Sequence, residues 1–524
     1  MSMTYDAFSK SILDHFCFAL PENLRPDKSY LVNDANIIDA AFKKAGFNNP
    51  QKLPAYKLRT YYEQVLSSTE LPFLKNGLGE AVWKLLLKGF DGYKSTLSFK
   101  MICILAEYII RTNPKIKRGL QSTYKHVFLD EFQDTTNLQY KLVKQCFLDS
   151  KSILTAVGDN KQRIMVWAGA LKTVFDDFRV EFGADTKKLV MNHRSSPRLV
   201  DLQRKMYASL NEADSMVYVS DAWKPDDGEV ALLIAEDEEN EAVILSKHIF
   251  DQIESGIEPN RLCILCKQKP ADYAAKIIEE LSKYQIYARI EDDYQNLIKE
   301  PVVEMLLSIL RLAVDRKHPH DWEFVVSTTT NLWNIGSIQS KDDYFKMQDA
   351  LSDEITQLNV MMNSVTCKKD FHNLLKHAVQ FWGGKRIKAT FPAYNQGSYL
   401  NDLLNKFQNY MWDELEATQM DWLLSIENFE GLHSVPIMTI HKSKGLEYDV
   451  VYFVGLEDSA FWNFKNQPEE DRCAFFVALS RAKKEILFTF CKYRYSSRYP
   501  KQSHTQINEF FELLKRPGVA KIIE

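Results

Sequence analysis

The sequence predicts an α/β protein with two parallel-sheet cores, each interrupted by a mostly helical insertion. Three observations carry this. His126–Leu129 and Ile153–Val157 are short apolar runs that end in polar residues, Asp130 and Gly158-Asp159. Such runs read as buried strands of a parallel sheet whose site lies at the strand ends. Glu229–Ala235, Leu262–Cys266 and Val450–Val454 repeat the pattern, with helical spacing between them. Elsewhere long stretches carry helical periodicity and no strand.

Composition narrows the class. At 524 residues the chain is too long for one compact domain. Its 45% hydrophobic and 26% charged residues exclude disordered and collagen-like chains. Lys plus Arg number 66 against 70 Asp plus Glu, so a basic groove for nucleic acid must be local. The 8 cysteines show no disulfide-dense spacing, which points to a reducing, cytoplasmic setting. No uncharged apolar run of about 18 residues is present, so no membrane partner is expected. Asp6, Lys10 and Asp14 interrupt the first apolar residues, so these do not form a signal peptide.

In chain order, Tyr5, Phe8, Ile12, Leu13 and Phe16 fall at helical spacing. Residues 21–115 read as helices broken by prolines, a first insertion within a core built from 1–20 and 116–189. Leu189–Met191 opens a further strand segment. Residues 190–320 and 431–524 form the second core. Residues 321–430, with Trp322, Trp333, Trp382, Trp412 and Trp422, form a helical insertion with a core of its own.

Two strings carry the chemistry. In His126-Val-Phe-Leu-Asp-Glu-Phe-Gln-Asp-Thr135 an apolar strand delivers Asp130 and Glu131 to its end. Nucleotide hydrolysis needs carboxylates there, one to hold Mg²⁺ and one to orient and deprotonate water. Asp-Glu alone after four apolar residues would read as an acidic helix start; Gln133 and Asp134 make the string far more specific. One strand later comes Ala156-Val-Gly-Asp-Asn-Lys-Gln-Arg-Ile-Met-Val-Trp-Ala-Gly-Ala170. Gln162 beyond a strand end can bond a γ-phosphate oxygen or the attacking water. Trp167 can stack on a base, although a tryptophan taken alone is more often a core residue.

These strings resemble motifs II and III of the UvrD/Rep/PcrA helicases, the superfamily 1 DNA translocases. Leu189-Val-Met-Asn-His-Arg-Ser195 resembles motif IV, Val435-Pro-Ile-Met-Thr-Ile-His-Lys-Ser-Lys-Gly-Leu-Glu447 motif V, and Ala474-Phe-Phe-Val-Ala-Leu-Ser-Arg-Ala482 motif VI. Thr4-Tyr-Asp-Ala-Phe8 is similar to the family's threonine motif. The resemblance spans nearly the whole chain. It implies two RecA-like cores, ATP and Mg²⁺ as ligands, and 3′→5′ movement on single-stranded DNA. It assigns catalysis to Asp130 (with Mg²⁺), Glu131, Gln162, Arg194 and Arg481. It gives ATP contacts to His193, Gly445 and Glu447, and DNA contacts to Thr4, Trp167, Thr439 and His441.

The chain also departs from the family. His193 stands where a tyrosine is common, and Ala168 where an arginine is common. No Gly-x-x-x-x-Gly-Lys-[Ser/Thr] loop occurs: before Gly384-Lys385 the first glycine position holds Val379, and Arg386 follows. The first core is therefore expected to lack the strand and phosphate loop that precede the threonine motif in the family. A shortened reading frame, a partner chain that donates the segment, and a chain that no longer hydrolyses ATP all explain this; the retained Asp130, Glu131, Gln162, Arg194 and Arg481 favour the first. The alternative function is an ATPase-deficient, DNA-binding or regulatory subunit working with a partner such as a nuclease. The compact second insertion is loosely similar to the helicase subunit of Gabija phage defence.

Two further features of the sequence each admit a functional and a structural reading. Lys483, Lys484, Lys492, Tyr493, Arg494, Tyr495, Arg498 and Tyr499 interleave cations with aromatics, which suits either nucleic acid or a solvated edge. Cys263 and Cys266 have zinc-like spacing but lie in an apolar strand, and read as core.

Overall fold

The computed structural model describes residues 3–213, 216–335, 341–391, 394 and 398–524. The chain divides into two compact units, Met1–Lys188 and Leu189–Glu524. Among the described residues no helix is long and apolar enough to cross a membrane.

The first unit is mainly helical. Thr4 caps the helix Tyr5–Phe16 by accepting from the Ala7 N–H, and Ser98 caps the helix Phe99–Thr112 in the same way. The second of these helices buries Met101, Ile102, Leu105, Ala106, Ile109 and Ile110. The short strands β1 (Leu31–Val32) and β2 (Thr96–Leu97) pair in parallel within the expected insertion. β3 (His126–Leu129) and β4 (Ile153–Ala156) form a second parallel pair, in register from His126–Ile153 to Leu129–Ala156. One apolar cluster runs from Ile12 to Phe178 and takes in both the insertion and the strand pair.

The strands expected here to be buried are not. Phe128 is 75% exposed and Ile153 59%. Alternation explains it: Val127, Leu129 and Leu154 turn to the helices, while Phe128 and Ile153 lie on the other face of a two-stranded sheet.

The second unit is built on a seven-stranded parallel sheet, ordered β13-β7-β12-β11-β8-β10-β9. Its strands are β7 (Glu229–Asp237), β8 (Leu262–Cys266), β9 (Ala288–Ile290), β10 (Val435–Thr439), β11 (Tyr448–Val454), β12 (Ala482–Tyr493) and β13 (Lys521–Ile523). β8 and β11 are buried at every position, as central strands covered on both faces must be. Cys263 and Cys266 lie in β8 at 0% exposure, and burial pushes both thiols above their usual range. The segment expected to open at Leu189 is shorter and later: β5 (Met191–Asn192) pairs with β6 (Tyr218–Val219) in a separate sheet. Asn192 ends it by accepting through Oδ1 from the N–H groups of Arg194 and Ser195.

The helical layer of this unit has its own core around Trp382, Phe407 and Phe429, with Trp322, Trp333 and Trp422 packed against it. That core starts at Tyr294, upstream of the expected boundary at 321. The helix Pro301–Val314 accounts for the difference, because it buries nine apolar side chains, among them Val302, Leu306, Ile309 and Leu310, in this cluster.

Candidate functional site

In the first unit the ends of β3 and β4 are joined by side chains. Glu131 has φ +48°, a left-handed conformation unusual for a residue with a Cβ. Its carboxylate accepts from Gln133 Nε2 at 2.5 Å, and Gln133 Oε1 accepts from the Asp159 N–H at 3.0 Å. Gln133 is 1% exposed, so this bridge is fixed from below while Asp130 and Glu131 face solvent. Gln162 donates to Asp159 at 3.2 Å, which brings it into the same cluster. A Cβ at Gly158 would lie 2.1 Å from Gln133 Oε1, so a larger residue there displaces the Gln133 side chain. Tyr5 and Thr135 hydroxyls, 3.3 Å apart, tie the first helix to the loop after β3. Trp167, in the short helical turn Val166–Ala168, is 69% exposed and so is not a core residue.

In the second unit the loop after β5, the crossover 440–447 and the start of β12 meet. Arg194 Nε donates to Glu447 at 2.8 Å, and its Nη1 donates to the Ser480 carbonyl at 3.0 Å. Lys483 Nζ lies 2.6 Å from the other Glu447 oxygen. Lys483 first and Arg194 second hold Glu447 below the usual carboxylate range. Asp449 sits beside it, bound by Arg261 at 2.6 Å and Lys484 at 2.9 Å. Burial alone would raise its pKa, but these two cations hold it below the ordinary value. Ser195 Oγ and Ser196 N–H donate to the carbonyls of Ala482 and Lys483, which seats the Arg194 loop on β12.

Arg481 is 2% exposed and points inward. It donates to the carbonyls of Val477 and Leu446 at 3.2 Å each and to Ser480 Oγ at 2.8 Å. It thereby ties the crossover to the helix Pro468–Ser480. Thr439 closes β10, its carbonyl accepting from Lys442 and Ser443. His441 is half-buried on the crossover, Gly445 adopts φ +84°, and His193 is exposed.

Two models of known families match this chain: the UvrD/REP helicase N-terminal domain over residues 22–183, and the UvrD-like helicase C-terminal domain over 187–380 and 398–493. The chain belongs to the UvrD/Rep helicase family. It is 24% identical over 522 residues to the ATP-dependent DNA helicase Rep of Buchnera aphidicola, covering 86% of this chain and 76% of that protein. It is 24% identical to DNA helicase II of Haemophilus influenzae, covering 83% of this chain and 65% of that one. The putative ATP-dependent DNA helicase YjcD of Bacillus subtilis is 25% identical, over 71% and 52%. As a UvrD/Rep-family chain this is an enzyme of the DNA helicase and ATPase class, and its mixed α/β units are consistent with two RecA-like helicase domains.

Family membership places the sequence motifs in context. Asp130, Glu131 and Gln162 come together in one unit; Arg194, Glu447 and Arg481 come together in the other. Four residues of these clusters had no assigned role. Gln133 and Asp159 bridge the strand ends, and Lys483 and Asp449 complete the ionic cluster. The sequence marks Gln133 only as part of the motif II string and Lys483 only as part of the basic run near the C-terminus. Arg494 departs from the surface basic run in which it was counted: it is 2% exposed and bonds Glu241 and Glu457, both fully buried. Its neighbours stay outside, with Tyr495 66% and Tyr499 67% exposed and the Tyr493 and Tyr495 rings stacked 6.3 Å apart. Among the described residues no three His, Cys, Asp or Glu side chains are grouped to hold a metal ion.

Proposed function

We propose that this chain is an ATP-dependent translocase that moves 3′→5′ along single-stranded DNA in the cytoplasm. The observation that carries the reading is the Gln133 bridge, which sets two solvent-facing carboxylates at one strand end with Gln162 beside them. Nucleotide-bound Mg²⁺ takes one or two carboxylates and otherwise water and phosphate oxygens, and an exposed Asp130 beside Glu131 fits that demand. The ion, when bound, neutralises charge on the phosphates.

The chain's own residues do the rest. Glu131, held by Gln133, orients the attacking water and takes its proton. Gln162 bonds the water or a γ-phosphate oxygen. Arg194 and Arg481 stabilise charge on the transferring phosphoryl group. Each must first exchange bonds it holds in this structure, Arg194 from Glu447 and Arg481 from the crossover carbonyls. The Glu447 oxygen that Arg194 leaves then accepts from the ribose, while Lys483 keeps the other, and His193 stacks on the base. Because Arg481 binds the crossover that carries His441 and adjoins Thr439, its exchange links phosphate chemistry to that loop. DNA contacts fall to Thr4, Thr439, His441 and the exposed Trp167, whose stacking is worth about 1–3 kcal/mol per base.

Strand displacement tests the reading. A labelled oligonucleotide annealed beside a 3′ single-stranded tail should be released with ATP, and one beside a 5′ tail should not. Release from the 5′ tail alone would overturn the polarity. DNA binding without release or ATP turnover would instead support a regulatory subunit that works with a partner such as a nuclease.

A further inference from the structure

Arg194 is bonded to Glu447 in this structure, yet the proposed chemistry needs that guanidinium on a phosphate. Glu447 has a second cation: Lys483 Nζ lies 2.6 Å from the oxygen that Arg194 does not touch. The backbone is shaped to put it there. β11 and β12 pair in parallel, and their register steps from Tyr448–Ala482 to Val450–Glu485. Lys483 and Lys484 of β12 therefore stand against the single residue Asp449 of β11. Such a bulge is uncommon between parallel strands, and bulges beside active sites re-aim side chains. Consecutive side chains of a regular strand point to opposite faces. Here the extra residue lets adjacent lysines reach carboxylates two positions apart, Lys483 to Glu447 and Lys484 to Asp449. The Lys483 carbonyl also accepts from the Ser196 N–H, so the loop that carries Arg194 is anchored on the same residue.

We propose that Lys483 is a positioning residue that frees Arg194 for the phosphate by taking over the charge of Glu447. This role rests on the ATPase reading of the site and adds to it a residue one position past the motif VI string. The two cations share one carboxylate, each on its own oxygen. When Arg194 turns to a phosphate, Glu447 keeps a charge-assisted bond to Lys483 and its charge stays compensated. Without Lys483, the departure of Arg194 leaves the carboxylate bare. Glu447 then holds the guanidinium more tightly and competes with the phosphate for it. Glu447 is well suited to compete, since its two cations hold it below the usual carboxylate range, Lys483 the more strongly.

The test is steady-state ATP turnover by the whole chain with single-stranded DNA. The variants are K483M, which keeps the length of the side chain and removes its charge, K483R, and the double variant K483M/E447Q beside E447Q as its reference. K483M should lower kcat about five-fold, the upper scale of one part-exposed ion pair, and K483R should stay within about two-fold of the parent. In the double variant the loss should vanish, so that its kcat equals that of E447Q, because no carboxylate is left to hold Arg194. A purely structural role for Lys483 predicts the opposite, the same five-fold loss on either background. That additive result overturns the inference, as does a K483M variant with the parent's kcat or a change confined to KM. If the unmutated chain turns over no ATP, the ATPase reading itself fails and the inference falls with it.

Discussion

Arg194 and Glu447, 253 positions apart in sequence, are joined by a 2.8 Å ion pair that Lys483 completes from the other side. The pair is partly exposed, so it contributes little to stability. On the proposed reading the guanidinium is held beside Lys483 at a cation-rich site, where a phosphate would take the place of Glu447. Arg194→Ala should therefore leave the melting temperature nearly unchanged and lower kcat for ATP by about 10³-fold, the scale for removing a phosphate-facing arginine. Steady-state kinetics beside a thermal melt separate the two effects. A kcat within a few-fold of the parent would remove Arg194 from the chemistry.

The Gln133 bridge gives a second prediction. Gly158→Ala drives a Cβ to within 2.1 Å of Gln133 Oε1, so Gln133 must move and release Glu131 and Asp159. Displacement of a catalytic group by about 1 Å is enough to reduce kcat about 10²-fold. Gln133→Leu should do the same with little change in KM. An unaffected kcat in both would show that Glu131 needs no such support.

The buried Arg494 is a stability element. It is shared between Glu241 and Glu457 at 2.9 Å each, with all three side chains at 2% exposure or less. Burial pushes the Glu457 carboxyl up, although Arg494 opposes this. Arg494→Ala would strand both carboxylates, a change of about 3–5 kcal/mol. Urea unfolding of the whole chain should show that loss; a difference below about 1 kcal/mol would mean water already reaches the site.

His248 supplies a pH dependence. Burial would lower its pKa, but Glu485, 3.2 Å from Nε2, outweighs this and the net shift is upward from 6.5. A raised histidine stabilises fully below its unfolded value and loses that contribution as pH rises through the folded one. Thermal stability should fall as pH is raised above 6.5, and His248→Gln should flatten that slope. An equal slope in both proteins would assign it elsewhere.

Much of this was legible in the sequence. The runs His126–Leu129 and Leu262–Cys266 predict their strands to the residue, because short apolar runs with polar ends have few other uses. The roles of single side chains were less legible. Nothing local marks Arg494 as buried, since its partners Glu241 and Glu457 lie far off in sequence. Nothing local predicts that Phe128 faces solvent, because exposure depends on how many layers cover a strand. The Gln133 bridge needed the β3–β4 register to be seen.

The central claim is that the strand-end carboxylates drive DNA-coupled ATP hydrolysis. The most direct measurement is ATP turnover by this 524-residue chain, with and without single-stranded DNA, beside Glu131→Gln. The account predicts turnover that DNA stimulates and Glu131→Gln abolishes, with DNA binding intact in both proteins. Turnover unchanged by Glu131→Gln, or no turnover with DNA binding retained, would contradict it.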